Sequence, residues 1–94
     1  MEERRATVGS RVGLHARPAS LFVQAAARQK ARVTIGKPGG APVNARSILS
    51  VLALDVHGGE EVVLYGEGDG AAEALAELVA VLEADHDESS APHA

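Results

Sequence analysis

The sequence predicts an α+β domain, an open-faced β-sandwich in which three helices cover one face of a four-stranded antiparallel sheet. Strand-like alternation and helix-like spacing follow one another in the order β-α-β-β-α-β-α, so each half reads as a split βαβ unit. The 94 residues suffice for one domain, and neither an internal repeat nor a linker indicates a second. We therefore expect residues 1–84 to form the domain and the polar residues 85–94 to be a disordered C-terminal tail.

The four predicted strands consist of alternating or β-branched apolar residues bounded by glycine and proline. They span residues 4–9, 31–35, 41–44 and 61–66. Pro42 indicates that the third strand lies at an edge of the sheet, because proline has no N–H group for a ladder hydrogen bond.

The three predicted helices follow from apolar residues that recur every three or four positions and so form one buried stripe. They span residues 16–30, 47–54 and 71–83. The stripe of the first helix consists of Ala19, Phe22, Val23 and Ala26, and that of the third of Ala71, Leu75, Leu78, Val79 and Leu82.

Composition excludes several classes of protein. The chain has nine Lys and Arg against thirteen Asp and Glu, with one Tyr, one Phe and no Trp. It therefore lacks both the excess positive charge and the aromatic side chains for base stacking that are typical of nucleic-acid-binding proteins. The absence of cysteine excludes disulfides and thiolate zinc sites, and it fits a reducing cytoplasm. No apolar run is long enough to cross a bilayer, and MEERR has no apolar core behind it, so we expect neither membrane insertion nor a secretory signal.

The segment GLHARPA places His15 where the first helix should begin. Pro18 falls in the first turn, where a missing N–H group costs no intrahelical hydrogen bond. The N–H groups of Ala16, Arg17 and Ala19 are expected to point outward from the helix start and to form an anion site. A neutral imidazole at such a helix start is a competent nucleophile.

A phosphoryl group on the His15 ring would give each neighbour a role. The backbone amides of Ala16 and Arg17 could donate to the phosphoryl oxygens, and the Arg17 guanidinium could donate a pair of charged hydrogen bonds to them. Gly13 lets the backbone turn sharply. The small side chains of Ala16 and Ala19 leave space around the His15 ring. No second carboxylate, metal cluster or general base lies beside His15 in the sequence, which favours a carrier without metal or cofactor over a hydrolase. The alternative at this point is that His15 merely caps the helix.

The segments GLHARPAS and VNARSIL, with the order of elements, resemble HPr, the histidine-containing phosphocarrier family of the bacterial phosphoenolpyruvate:sugar phosphotransferase system. The resemblance runs from about Arg4 to Glu83. It implies that His15 accepts a phosphoryl group from Enzyme I at Nδ1 and passes it to Enzyme IIA proteins in sugar uptake. It also implies that Arg17 helps to hold that group, and that the chain is a cytoplasmic, monomeric carrier rather than an enzyme.

VNARSIL also resembles the regulatory-serine segment of Gram-positive members of the family, which implies ATP-dependent phosphorylation of Ser47 by an HPr kinase/phosphorylase. A phosphate would add a charge of about −1.5 to −2 beside the predicted apolar docking residues. These docking residues are Leu14, Leu21, Ile48, Leu49 and Leu52. Two observations weigh against regulation: serine is a preferred helix cap, and Ser50 stands where many Gram-positive members have glycine.

Other functions remain open at this point. A paralogous carrier in a nitrogen-related or dihydroxyacetone-kinase phosphorelay would keep the same histidine and arginine. A regulatory module would bind a partner through the apolar residues without transferring a group, and a His-dependent phosphatase is disfavoured because no second catalytic group is evident. We expect His57 to be a turn residue and residues 85–87 to be solvated rather than metal-binding.

Overall fold

The computed structural model describes residues 1–84, so the predicted tail at 85–94 lies outside the described residues. The order of elements is the predicted one. The strands and helices are β1 (Glu2–Thr7), α1 (Ala16–Ala27), β2 (Arg32–Gly36), β3 (Val43–Asn44), α2 (Ile48–Ala53), β4 (Glu61–Glu67) and α3 (Ala71–Glu83). The predicted α+β fold is confirmed, and no helix in residues 1–84 has the length and apolar character needed to span a bilayer.

The four strands form one antiparallel sheet in the order β1-β4-β2-β3. The last strand in sequence, β4, therefore lies in the interior between β1 and β2, and β3 lies at the edge as Pro42 indicated. Val43 and Asn44 pair with Ile35 and Thr34 of β2, and the Ala45 N–H donates to the Val33 carbonyl at 3.1 Å. The strand is shorter than predicted because it begins after Pro42, which cannot donate to the ladder.

Two other predicted boundaries were wrong by a few residues. The opening strand begins at Glu2 and ends at Thr7, rather than spanning 4–9, yet Val8 stays paired: its N–H donates to the Glu60 carbonyl at 3.0 Å. The first helix ends at Ala27 instead of near residue 30. Its last turn tightens, with the Arg28 N–H donating to the carbonyl oxygen three residues earlier at 3.2 Å, which is how many helices terminate.

The core lies between the helices and one face of the sheet, and small aliphatic side chains fill most of it. The predicted stripes of α1 and α3 are confirmed: all of their residues are buried except Val23 and Val79, which are half-buried against the core. The pleat of β2 turns Val33 and Ile35 toward the helices, so that Arg32 and Thr34 fall on the other, uncovered face.

Candidate functional site

A glycine fixes the loop that presents His15. Gly13 adopts φ +79°, a conformation that favours glycine, and the N–H of Leu14 donates to the Val56 carbonyl at 3.0 Å. A Cβ atom on Gly13 would collide with the same Val56 carbonyl oxygen and lie 2.8 Å from the His57 Cα. The start of α1 is therefore held directly against the segment that follows α2.

His15 is the N-cap residue of α1, with an extended backbone, and its side chain is exposed. Its carbonyl accepts the Ala19 N–H at 2.8 Å. Among the described residues the imidazole makes no capping hydrogen bond. Helix capping by the side chain, the alternative left open by the sequence, therefore does not account for this histidine.

The structure corrects the role expected of Ala19. Its N–H group is already used inside the helix, so it cannot serve an anion, and its side chain is fully buried in the core. Ala16 and Arg17 keep the expected position. Both residues are exposed and lie in the first turn of α1, where backbone N–H groups have no carbonyl of the same helix to donate to. The anion site expected from the sequence is thus narrowed to these two residues.

A depression of about 310 Å³ joins the start of α1 to the end of α2. It is lined by Leu14, His15, Ala16, Leu52, Asp55 and Val56. At the other end of α1, the guanidinium of Arg46, which precedes α2, donates to the Gln29 carbonyl. The start of each helix therefore lies near the end of the other, so the two helices run in opposite directions. The histidine thus lies at the rim of a shallow, mostly apolar surface.

Asp55 is a residue of this depression that sequence reasoning missed. Within residues 1–84 it is the one non-glycine residue with positive φ, at 56°, and its exposed carboxylate lies 3.6 Å from the His57 imidazole Nε2. Aspartate tolerates this left-handed conformation better than most residues, and the position just after a helix commonly adopts it. An aspartate directly after a predicted helix end was the available signal. His57 precedes a turn, as expected, and its N–H donates to the Glu60 carboxylate at 2.7 Å.

Three of the five predicted docking residues are exposed: Ile48 and Leu52 at 37% each and Leu49 at 77%. These three residues of α2 are called the apolar surface below. The prediction for Leu14 was wrong, because this side chain is 3% exposed and packs into the core beneath the depression. Leu21 is half-buried.

Ser47 caps the other end of α2. Its hydroxyl oxygen accepts the Ser50 N–H at 3.3 Å, and its hydroxyl donates to the Ser50 Oγ at 3.0 Å. Because α2 has six residues, with a length of about 9 Å, Ser47 borders the apolar surface but lies one helix length from the His15 depression.

Residues 2–84 match the family model described as the PTS HPr component phosphorylation site. The chain belongs to this HPr family. The phosphocarrier protein HPr of Streptomyces coelicolor is 55% identical over 78 residues, which cover 83% of this chain and 84% of that protein. HPr proteins are phosphocarriers of the phosphotransferase system, and the sugar-transport role follows from the family.

Solved HPr structures share the fold. The crystal structure of a phosphocarrier protein HPr from Bacillus anthracis has a TM-score of 0.81 at 41% identity, covering 86% of this chain and 95% of that one. The HPr-like protein Crh of Bacillus subtilis, whose crystal structure is described as a domain-swapped dimer, has a TM-score of 0.69 at 41% identity and covers 88% and 94%. The relatives of this HPr chain thus include both HPr and Crh proteins.

The described part of this HPr chain brings together no group of three histidine, aspartate or glutamate side chains that could hold a metal ion. The site that remains consists of an exposed imidazole, an exposed guanidinium two residues later and an apolar rim.

Proposed function

We propose that His15 accepts a phosphoryl group from phosphoenolpyruvate-charged Enzyme I and passes it to sugar-specific Enzyme IIA proteins. The observation that carries the proposal is an exposed imidazole, not used for capping among the described residues, at the first turn of a helix in an HPr chain. A ring nitrogen forms a P–N bond while the bond between phosphorus and Enzyme I breaks. In the second step the P–N bond to His15 breaks while phosphorus forms a bond to the acceptor group of Enzyme IIA.

Nearby groups suit a transient anion. The first turn of α1 places the amides of Ala16 and Arg17 at the positive end of the helix dipole, and the exposed Arg17 side chain supplies a planar, charged donor. The site offers donors for the phosphoryl oxygens and belongs to a carrier rather than to an enzyme that turns over its own substrate.

The apolar surface is proposed as the docking surface for both partners. Large exposed apolar side chains on one short helix are unusual on a small domain and often mark a protein-binding site. Leu52 belongs to the apolar surface and also lines the His15 depression, so a partner seated on α2 would face the imidazole. We place this carrier domain in residues 1–84 and propose that it acts as a cytoplasmic monomer.

We further propose that Ser47 is a regulatory phosphorylation site for an HPr kinase/phosphorylase. The support is its position: the Ser47 hydroxyl caps α2 next to the apolar surface, so a phosphate would add charge where partners dock.

Transfer is tested with Enzyme I, Mg²⁺ and radiolabelled phosphoenolpyruvate. An acid-labile, alkali-stable adduct is expected, and it should be lost in His15→Ala but kept in His57→Ala, which removes another exposed histidine. Arg17→Ala should slow transfer by at least about tenfold, because a charge-assisted hydrogen bond contributes about 1.5–3 kcal/mol.

Absence of the adduct would exclude the carrier proposal and favour a binding module. An adduct that persists in His15→Ala would exclude His15 as the phosphoryl acceptor. An adduct that no sugar-specific Enzyme IIA removes would instead favour a carrier for a nitrogen-related or dihydroxyacetone-kinase phosphorelay.

A further inference from the structure

A second depression, of about 320 Å³, lies at the end of α1 opposite to His15. Its lining comes from the loop after α1, from β2, from β3 and from the segment between β3 and α2. The lining residues are Lys30, Arg32, Val33, Thr34, Asn44 and Arg46. The 12 residues of α1 separate it from the phosphoryl-acceptor site by about 18 Å. It is called the basic depression below.

The charge of the basic depression contrasts with that of the whole chain, whose formal net charge is −4. Lys30, Arg32 and Arg46 are exposed and form no ion pair with a carboxylate in residues 1–84. Glu67 is the carboxylate nearest in the ladder: it lies opposite Arg32 and lines a neighbouring depression with Lys30 and Arg32. Three positive charges are therefore concentrated in one concave site, and Glu67 is the carboxylate that lies beside it.

Backbone contacts hold one of these cations in place. The Arg46 Nη2 donates to the Gln29 carbonyl at 2.6 Å, which ties the guanidinium to the loop after α1. The Arg46 N–H donates to the Asn44 Oδ1 at 2.9 Å, so the side-chain oxygen of Asn44 is engaged and its NH₂ group remains to donate. An arginine fixed in this way loses less conformational entropy when it binds an anion.

We propose that the basic depression binds a small phosphate-bearing anion. Guanidinium forks match the geometry of phosphoryl oxygens, and an ammonium, an amide and the Thr34 hydroxyl add further donors in the same concavity. These donors converge on a single concavity, which favours a compact ligand over an extended acidic segment of a protein. The ligand is bound, not chemically altered, and its site is independent of phosphoryl transfer at His15.

The proposal is tested by titrating ¹⁵N-labelled protein with inorganic pyrophosphate and following the backbone amide shifts. We expect saturable shifts in residues 29–34 and 44–46, and weaker binding as the salt concentration rises. Arg32→Gln and Arg46→Gln should each weaken the affinity about tenfold, because each removes a charged donor. Arg5→Gln is the matched control: it removes one positive charge from β1, at the other edge of the sheet, and should leave the affinity unchanged.

Arg46→Gln could alter the loop that Arg46 holds. In that case Arg32→Gln decides the test, because Arg32 is at an exposed strand position where the substitution should leave the fold intact. Shifts that never saturate, or an equal loss of affinity in Arg5→Gln, would overturn the proposal and indicate diffuse attraction only. Binding of a poly-glutamate peptide at these residues without binding of pyrophosphate would also overturn it, in favour of an acidic protein partner.

Discussion

The two ends of α1 present different chemistry. At its start, His15 lies beside a depression whose lining is mostly apolar and next to leucine side chains exposed on α2. Beyond its end, Lys30, Arg32 and Arg46 line a depression with hydroxyl and amide donors and no carboxylate. The start of α1 is suited to contact with a protein surface, because apolar side chains favour binding when a partner covers them and removes them from water. The other end is suited to a small anion.

The difference also concerns how each end is held. The His15 end depends on a close backbone approach, in which Gly13 lies against the Val56 carbonyl and leaves no room for a side chain. The basic end depends on a side chain, because Arg46 is tied to a peptide carbonyl. Substitutions should therefore damage the His15 end through the backbone, and the basic depression through loss of charge.

The largest effect is expected from Gly13→Ala. The variant combines a left-handed backbone with a collision against backbone atoms, so the free energy of unfolding should fall by about 3 kcal/mol. Gly39→Ala is the matched control, since Gly39 has the same φ of +79° but nothing within 4 Å of an added Cβ. It should cost about 1 kcal/mol in denaturant unfolding. Equal losses would show that the close approach at Gly13 has no energetic weight.

A smaller effect is expected when charge is placed on the apolar surface. Leu49→Asp should slow transfer from Enzyme I by at least about tenfold, because it removes one apolar contact worth about 1.5–3 kcal/mol when fully covered. Leu49 is 77% exposed, so the unfolding free energy should hardly change. Ala76→Asp adds the same charge at an exposed position of α3 and should leave transfer unaltered. Similar slowing in both variants would exclude α2 as the docking surface.

The smallest effect is expected at Ser47. Ser47→Asp should slow transfer about threefold, the size expected of a solvated charge near the docking surface. Ser47→Asn is the control, because asparagine and aspartate cap helices equally well and differ here in charge. If the asparagine variant is as slow as the aspartate variant, the effect comes from the cap and not from charge, and the proposed regulation loses its basis.

Most of the fold could be predicted because its signals are local. Apolar spacing in α1 and α3 and alternation in β2 depend on residues that are neighbours in the sequence, and these elements lie where the pattern indicated. The boundaries of β1 and α1 were wrong because strand and helix ends depend on which partner groups are within reach. Val8, for example, leaves the ladder but pairs with Glu60, a residue far away in the chain.

The site was predictable to the extent that it follows helix chemistry. GLHARPA indicated the start of a helix with His15 as its first exposed group, and the structure has that arrangement. It could not indicate that Leu14 would be buried or that Asp55 would line the same depression. Those facts depend on how α2 packs against α1.

The amino-acid sequence by itself determined the order of elements, the apolar stripes and the placement of the imidazole at a helix start, because each depends on interactions within a few residues. Only the tertiary structure decided which distant groups share a surface: Asp55 with His15 at one end, and Arg46 with Lys30 and Arg32 at the other. The physical reason is that antiparallel packing of α1 and α2 brings the end of each helix beside the start of the other, and no local pattern records that contact.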